Sequence, residues 1–136
     1  MIPCHDLRTG NIIQVNNRLR KVSAITNSRS LVDHSFVGVA SMINDGTDNY
    51  PVENIDPVPL TDGILQQCSF VYHDYFKFWQ LVNGQEENRS EMDIDRDYNI
   101  IDFMRKPIVK SVASLHQLQN IYFMLKGKEL PYQGQA

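Results

Sequence analysis

Two short apolar runs bracketing a pair of asparagines limit what this chain can fold into more than any other feature. Ile12-Ile13-Gln14-Val15 and Leu19-Arg20-Lys21-Val22-Ser23-Ala24-Ile25 flank Asn16-Asn17-Arg18. Asparagine tolerates positive φ, so the spacing predicts a β-hairpin closed by a tight turn. Residues 31–39 follow with Val32, His34 and Phe36 alternating against Leu31, Asp33, Ser35 and Val37, the period of a strand. The polar stretch 44–49 predicts a loop before Tyr50-Pro51-Val52. Several short strands in close succession favour a small closed sheet, because closure removes exposed edges. An SH3-like barrel is the nearest match in size, by analogy. Pro57-Val58-Pro59 then reads as an extended connector, since each proline pushes its predecessor out of the α region.

The second half mixes strands with helix. Thr61 can cap a short helix, with Asp62 in its first turn, Leu60 stapled onto Leu65 and an end near Ser69. Phe70-Val71-Tyr72 and residues 75–82 flank His73-Asp74, and aromatics on both sides of the longer run predict a strand buried in part on both faces. Residues 84–91 read as a polar loop. From Met92 to Ile100, Met92, Ile94, Tyr98 and Ile100 alternate with Asp93, Asp95, Asp97 and Asn99, interrupted by Arg96. That pattern predicts one strand with its aspartates facing water. Ser114 with Gln117 is a capping-box pattern opening a helix that Gly127 closes. Leu115, Leu118, Ile121, Tyr122 and Leu125, widened by Met124, form its apolar stripe, with Leu118 in the core. The expected fold is therefore α+β: a β-barrel-like part over residues 1–60, then an antiparallel sheet with a packed C-terminal helix over 61–136. The two parts are also compatible with one continuous domain.

Composition narrows the class. The chain has 136 residues, 42% of them hydrophobic, which excludes a disordered chain. No apolar run approaches the ~20 residues of a membrane span. Residues 1–6 lack a signal-peptide layout, and Cys4 and Cys68 are too few for a disulfide framework, so the expected location is cytoplasmic. A net charge of −3 conceals segregation: +4 over residues 1–32, −6 over 33–62, −5 over 86–102 and +4 over 103–136. Such blocks are read first as solvated faces that pair across the surface, and second as faces that steer charged partners.

Three strings carry a resemblance. Asp6-Leu7-Arg8-Thr9-Gly10-Asn11 stands at the start, and Ile55-Asp56-Pro57-Val58-Pro59-Leu60-Thr61 with Leu65 and Phe70 in the middle. At the end stands His116-Gln117-Leu118-Gln119-Asn120-Ile121-Tyr122-Phe123, followed by Leu125, Gly127, Glu129 and Leu130. In this order they resemble a family of small uncharacterised proteins common in Bacteroidetes and their prophages. The chain departs from that pattern at Thr9, where an apolar residue is usual, and at Ser69, where glycine usually ends the short helix. The resemblance implies a shared fold and a mobile-element context, and no mechanism.

Motifs for chemistry are sparse. The seven glycines build neither a dinucleotide fingerprint nor a P-loop, and no nucleophile elbow is present. Asp93-x-Asp95-x-Asp97 begins like a Ca²⁺ loop, but Tyr98 stands where glycine is needed and Met104 where glutamate is needed. Cys4, His5, Cys68 and His73 are ligand types without zinc spacing, so no metal and no cofactor is expected. A Cys68–His116 or Cys68–His73 nucleophile pair is a distant reading, because a buried thiol is ordinarily inert packing. His116, at the start of the last helix, is expected to be a neutral hydrogen-bonding histidine, and Gln119 and Asn120 to bond neighbouring strands. The preferred expectation is a non-enzymatic protein-interaction module with a protein partner, using Phe123, His116, Gln119 and Asn120 as candidate surface. The alternative is nucleic-acid binding through a basic N-terminal face of Arg8, Arg18, Arg20, Lys21 and Arg29, although aromatics there are few.

Overall fold

A computed structural model of the chain describes residues 2, 6–27, 35–41, 47–82, 90–102 and 104–133. It is a mixed α+β structure with two antiparallel sheets and a C-terminal helix. The chain divides into two compact units. One comprises Met1–Pro59 with Ser114–Asn120, the other Leu60–Ala113 with Ile121–Gly134, so the C-terminal helix contributes its first half to one unit and its second half to the other. Among the described residues no helix is long and apolar enough to cross a membrane.

In the first unit, β1 (Ile12–Val15), β2 (Arg18–Asn27), β3 (Ser35–Ser41) and β4 (Thr47–Pro51) form a meander in sequence order. The β1–β2 turn is the one the asparagines predict: Asn16 and Asn17 sit at φ 51° and 64°, the two positive-φ positions of a type I′ hairpin, and Val15 pairs with Arg18. Arg18 thus opens the strand rather than belonging to the turn. Residues 31–34 of the third expected strand, and 44–46 of the expected loop, lie outside the described residues, while 47–49 of that loop are strand instead, paired in β4 with β3. Register places Ile13, Val15 and Val22 on one face, where they pack with Ile2, Leu7 and Ile55. After β4 a 3-10 turn, Val52–Asn54, brings the chain back to the free edge of β1. There Gln14 N donates to Asp56 O at 3.0 Å and Asp56 N to Gln14 O at 2.9 Å. Among the described residues no ladder joins β4 to β1, and no closed barrel is found.

In the second unit, α1 (Asp62–Gln67) begins where expected. The Thr61 hydroxyl accepts from Ile64 N at 3.2 Å, and the helix ends before Ser69, which takes φ 72°. That left-handed value gives a physical reason for the glycine the resemblance leads one to expect there. A five-stranded meander follows: β5 (Val71–His73), β6 (Phe78–Val82), β7 (Ser90–Asp95), β8 (Ile100–Ile101) and β9 (Pro107–Val109). Tyr72, Trp79, Leu81, Met92, Ile94 and Ile100 share one face, mostly buried. Val71, His73, Phe78, Gln80, Asp93 and Ile101 share the other.

Two strand expectations are corrected here. The run 92–100 is not one strand: β7 stops at Asp95 and reverses. Asp95 N donates to Asn99 O at 3.0 Å, Tyr98 N to Asp95 O at 3.1 Å, and Tyr98 sits at φ 60°. This is a three-residue hairpin with a bulge, fixed by the Asp95 carboxylate, which accepts from Asp97 N, Asn99 N and Asn99 Nδ2 at 2.9–3.0 Å. A side chain that bonds its own downstream backbone offers an alternative to the ladder, and alternation of residue types cannot reveal it. Asp102 repeats the device, its Oδ1 accepting from Met104 N and Lys106 N with Arg105 at φ 63°. The run 75–82 likewise begins late, because residues 74–77 form the β5–β6 turn. Tyr75 and Phe76 are therefore exposed rather than buried in a strand.

The final helix, α2 (Leu115–Lys126), ends at Gly127 with φ 70°, and Gly127 N donates to Phe123 O at 2.8 Å. Its buried face is Leu115, His116, Leu118, Gln119 and Tyr122. Leu125 and Met124, assigned to the stripe by spacing, are exposed.

Candidate functional site

The polar residues of α2 are interior. His116 is 4% exposed and Gln119 2%, so neither offers the partner surface expected of them. Gln119 Oε1 accepts from Ile12 N at 2.8 Å and from Asn11 Nδ2 at 3.5 Å, while its Nε2 donates to Gly10 O at 3.3 Å. Asn120 Oδ1 accepts from Asn11 Nδ2 at 2.8 Å and from Arg8 Nε at 3.2 Å, and its Nδ2 donates to Asp6 O at 2.9 Å. The partner end of this network is a tight turn: Asn11 N donates to Arg8 O, Arg8 N donates to Asn11 Oδ1, and Gly10 takes φ 96°. Gln119 thus bonds strand β1 through Ile12 N, as the sequence leads one to expect, whereas Asn120, half-buried, bonds among the described residues only the segment before that strand. The two outer strings of the resemblance, Arg8-Thr9-Gly10-Asn11 and Gln119-Asn120, are here one hydrogen-bonded cluster. His116 Nδ1 lies 3.0 Å from the Ser114 hydroxyl. Burial pushes the His116 pKa down and the charge of Asp6 opposes this only in part, so the imidazole is neutral near pH 7.

The basic residues do not make one face. Arg8 is half-buried against Asn120. Opposed residues share a face, so Arg18 and Arg20, across from Val15 and Ile13, point to the core side while Lys21, across from Ile12, points to the other. Arg20 pairs with Asp48 at 3.7 Å, a meeting of the basic and acidic blocks. Arg29 lies outside the described residues.

Exposed apolar groups collect elsewhere. Phe123, at 39% exposure, is surface as expected, and Met124 and Leu125 beside it are more exposed still. The more organised cluster is one that the sequence reading missed. On the β5–β6 turn, Tyr75 is 88% exposed and meets Phe76 edge-on, with centroids 4.9 Å apart at 88°. Phe76 and Phe78 are 6.1 Å apart, and the Arg105 guanidinium lies over both rings, at 5.0 and 5.8 Å. Phe76, Phe78, Asp93, Ile101, Asp102 and Arg105 line a cleft of about 160 Å³. The turn held by Asp102 fixes where Arg105 is presented, and Lys77 at φ 62° closes the aromatic turn through Lys77 N to His73 O at 2.8 Å. The polar residues His73, Asp74 and Lys77 around Tyr75-Phe76 were the available signal for a turn there.

Chemistry at the remaining candidates is that of structural groups. Cys68 is buried, and desolvation pushes its thiol up to about 12, away from the thiolate a nucleophile needs. His73 Nε2 donates to Gln80 Oε1 at 2.7 Å. Cys4 and His5 lie outside the described residues, and among those described no three His, Cys, Asp or Glu side chains converge as a metal site. Glu91 accepts from the Tyr122 hydroxyl and from Lys128 Nζ, the latter at 2.7 Å. Burial alone raises the Glu91 pKa, but these two partners outweigh it and hold the carboxyl below its ordinary value. No family model, curated protein or solved structure matches this chain.

Proposed function

We propose that this chain is a non-enzymatic protein-interaction module that docks a partner protein through the Tyr75-Phe76 turn and Arg105. The observation that carries the reading is the exposure of Tyr75 and Phe76 at a turn tip, with Arg105 stacked over the neighbouring rings. Turn tips are ordinarily polar, whereas tyrosine and arginine are enriched among residues that dominate binding energy. Ring–ring and guanidinium–ring contacts hold the cluster in place before any partner arrives, which lowers the ordering cost of association. The resemblance in the three strings supports a phage or other mobile-element setting, and the two widely spaced cysteines favour the cytoplasm. The Gln14–Asp56 bridge after the 3-10 turn supports reading the first sheet as an SH3-like barrel.

The test is capture from a lysate of the source cells on immobilised protein, comparing wild type with Tyr75→Ser/Phe76→Ser. Loss of a hot-spot pair should weaken a specific partner by about thirtyfold or more, with far-UV circular dichroism unchanged. Equal capture by both forms refutes the site. The nucleic-acid alternative has less behind it, since Arg18 and Arg20 lie on a different face from Lys21 and Arg20 is paired. A salt-dependent shift with mixed DNA and RNA would restore it.

A further inference from the structure

A second cleft, of about 260 Å³, is lined by Asp62, Tyr72, Trp79, Arg96 and Tyr98. It lies on the opposite side of the second sheet from Phe78 and Asp93, since Tyr72 and Trp79 belong to the mostly buried face. The Tyr72 and Trp79 rings stand 5.1 Å apart at 52°, an apolar wall. The hairpin turn after β7 supplies Arg96 and Tyr98, and the Tyr98 hydroxyl donates to Asp62 Oδ1 at 2.8 Å. Asp62 Oδ2 and the Arg96 guanidinium have no hydrogen-bond or ion-pair partner among the described residues, and they do not pair with each other. One cleft thus presents a carboxylate oxygen, a guanidinium and an aromatic wall, with both charges still open.

We propose that this cleft binds a free α-amino acid with an apolar side chain, its ammonium on Asp62, its carboxylate on Arg96 and its side chain against Tyr72 and Trp79. The charges decide among ligand classes. A simple organic cation would be drawn to Asp62 and the rings but repelled by Arg96; a simple anion would meet the reverse. A molecule carrying both charged groups on one carbon satisfies both, and guanidinium–carboxylate pairing is charge-assisted and directional. The volume lies below the ~300–1,000 Å³ of sites for larger ligands, which fits a molecule of this size. The inference stands apart from the docking role of Tyr75 and Phe76, which lie outside this cleft.

Trp79 is the only tryptophan in the chain, so its fluorescence, excited at the red edge of its absorption, reports on this cleft alone. Titration with L-phenylalanine should give a saturable change. Phenethylamine, lacking the carboxylate, and 3-phenylpropionate, lacking the ammonium, should each bind about tenfold more weakly or worse, as loss of one charge-assisted hydrogen bond requires. Arg96→Gln, on an exposed turn position, should abolish the preference for L-phenylalanine over phenethylamine without weakening phenethylamine itself. Tyr75→Ser/Phe76→Ser should leave the titration unchanged, so that failure here and failure of the docking role are distinguishable. Equal binding of phenethylamine by the wild type, tighter binding of adenosine monophosphate, or no saturable change up to about 10 mM would each overturn the proposal.

Discussion

Replacing Gln119 tests the central structural claim, that the end of the chain is bonded into its beginning by a buried amide. Gln119→Ala removes the acceptor for Ile12 N, a bond of 2.8 Å between two buried residues, and the donor to Gly10 O. A buried N–H left without a partner costs about 1–3 kcal/mol, and the cavity left by the missing side-chain atoms adds about 1–2 kcal/mol. The expected loss is about 2–5 kcal/mol, a large share of the ~5–15 kcal/mol that holds a domain together. Gln119→Leu separates the two contributions: it restores most of the volume but not the acceptor, so its cost should fall to about 1–3 kcal/mol. Met124→Ala, at an exposed position on the same helix, is the reference and should stay within about 0.5 kcal/mol. Urea melts followed by far-UV circular dichroism give the ordering, and amide exchange gives the location. The Ile12 amide should lose protection in Gln119→Leu while the helix amides keep theirs. A Gln119→Ala cost no larger than that of Met124→Ala, or an unchanged Ile12 amide, would refute the reasoning.

Further outcomes follow from the turns and the buried titratable groups. Asp95→Ala should cost about 1–2 kcal/mol in the same melts, because three hydrogen bonds fix the β7–β8 turn, while exposed Asp97→Ala should stay within about 0.5 kcal/mol. Ser69→Gly should stabilise by about 1 kcal/mol by relieving a left-handed conformation at φ 72°, and a loss of stability would show that the serine side chain has a role of its own. In a Cys4→Ser background, Cys68 should resist a disulfide reagent at pH 8 until denaturant is added, since a thiol pushed up to about 12 is almost wholly protonated. Burial lowers the His116 pKa, so the unfolded chain binds a proton that the folded chain refuses. Stability should therefore be level above the unfolded value of about 6.5 and fall as pH drops below it, and His116→Gln should remove that slope.

Local signals in this sequence were legible where one residue type answers one backbone need. Asn16 and Asn17 announced a turn because few other residues accept φ 51° and 64° in succession, and Thr61 and Gly127 marked helix ends for equally local reasons. The reading failed where a side chain acts on backbone several residues away. Asp95 looks like the outward member of a strand until its carboxylate is seen to bind Asp97 N and Asn99 N. The apolar stripe of α2 failed differently. Spacing put Leu125 and Met124 on the buried face, yet burial runs instead through His116 and Gln119, because hydrogen-bonding capacity let polar side chains occupy the interior. Periodicity measures apolarity and is blind to that substitution.

The same blindness bears on where function should be sought. Arg8, Gly10, Asn11, Gln119 and Asn120 are the polar residues of the most recognisable strings in the chain, and such residues invite assignment to a surface or an active site. Here each has a structural task. Gly10 supplies φ 96°, Asn11 closes the turn on Arg8 and is itself fully buried, and Gln119 and Asn120 accept from Ile12, Asn11 and Arg8. A cluster with its donors and acceptors spent on its own backbone has little left for a ligand. The groups with capacity left over stand outside those strings: the open charges of Asp62 and Arg96, and the uncovered rings of Tyr75 and Phe76. If that division is right, Asn11→Ala should destabilise by about 2–4 kcal/mol, through lost buried hydrogen bonds and a small cavity. Whatever binding survives at temperatures where Asn11→Ala is still folded should match wild type in affinity. Tyr75→Ser should behave in the opposite sense, unfolding within about 0.5 kcal/mol of wild type while partner binding is lost. Lost affinity in folded Asn11→Ala would move the site into the motif residues and reverse the division.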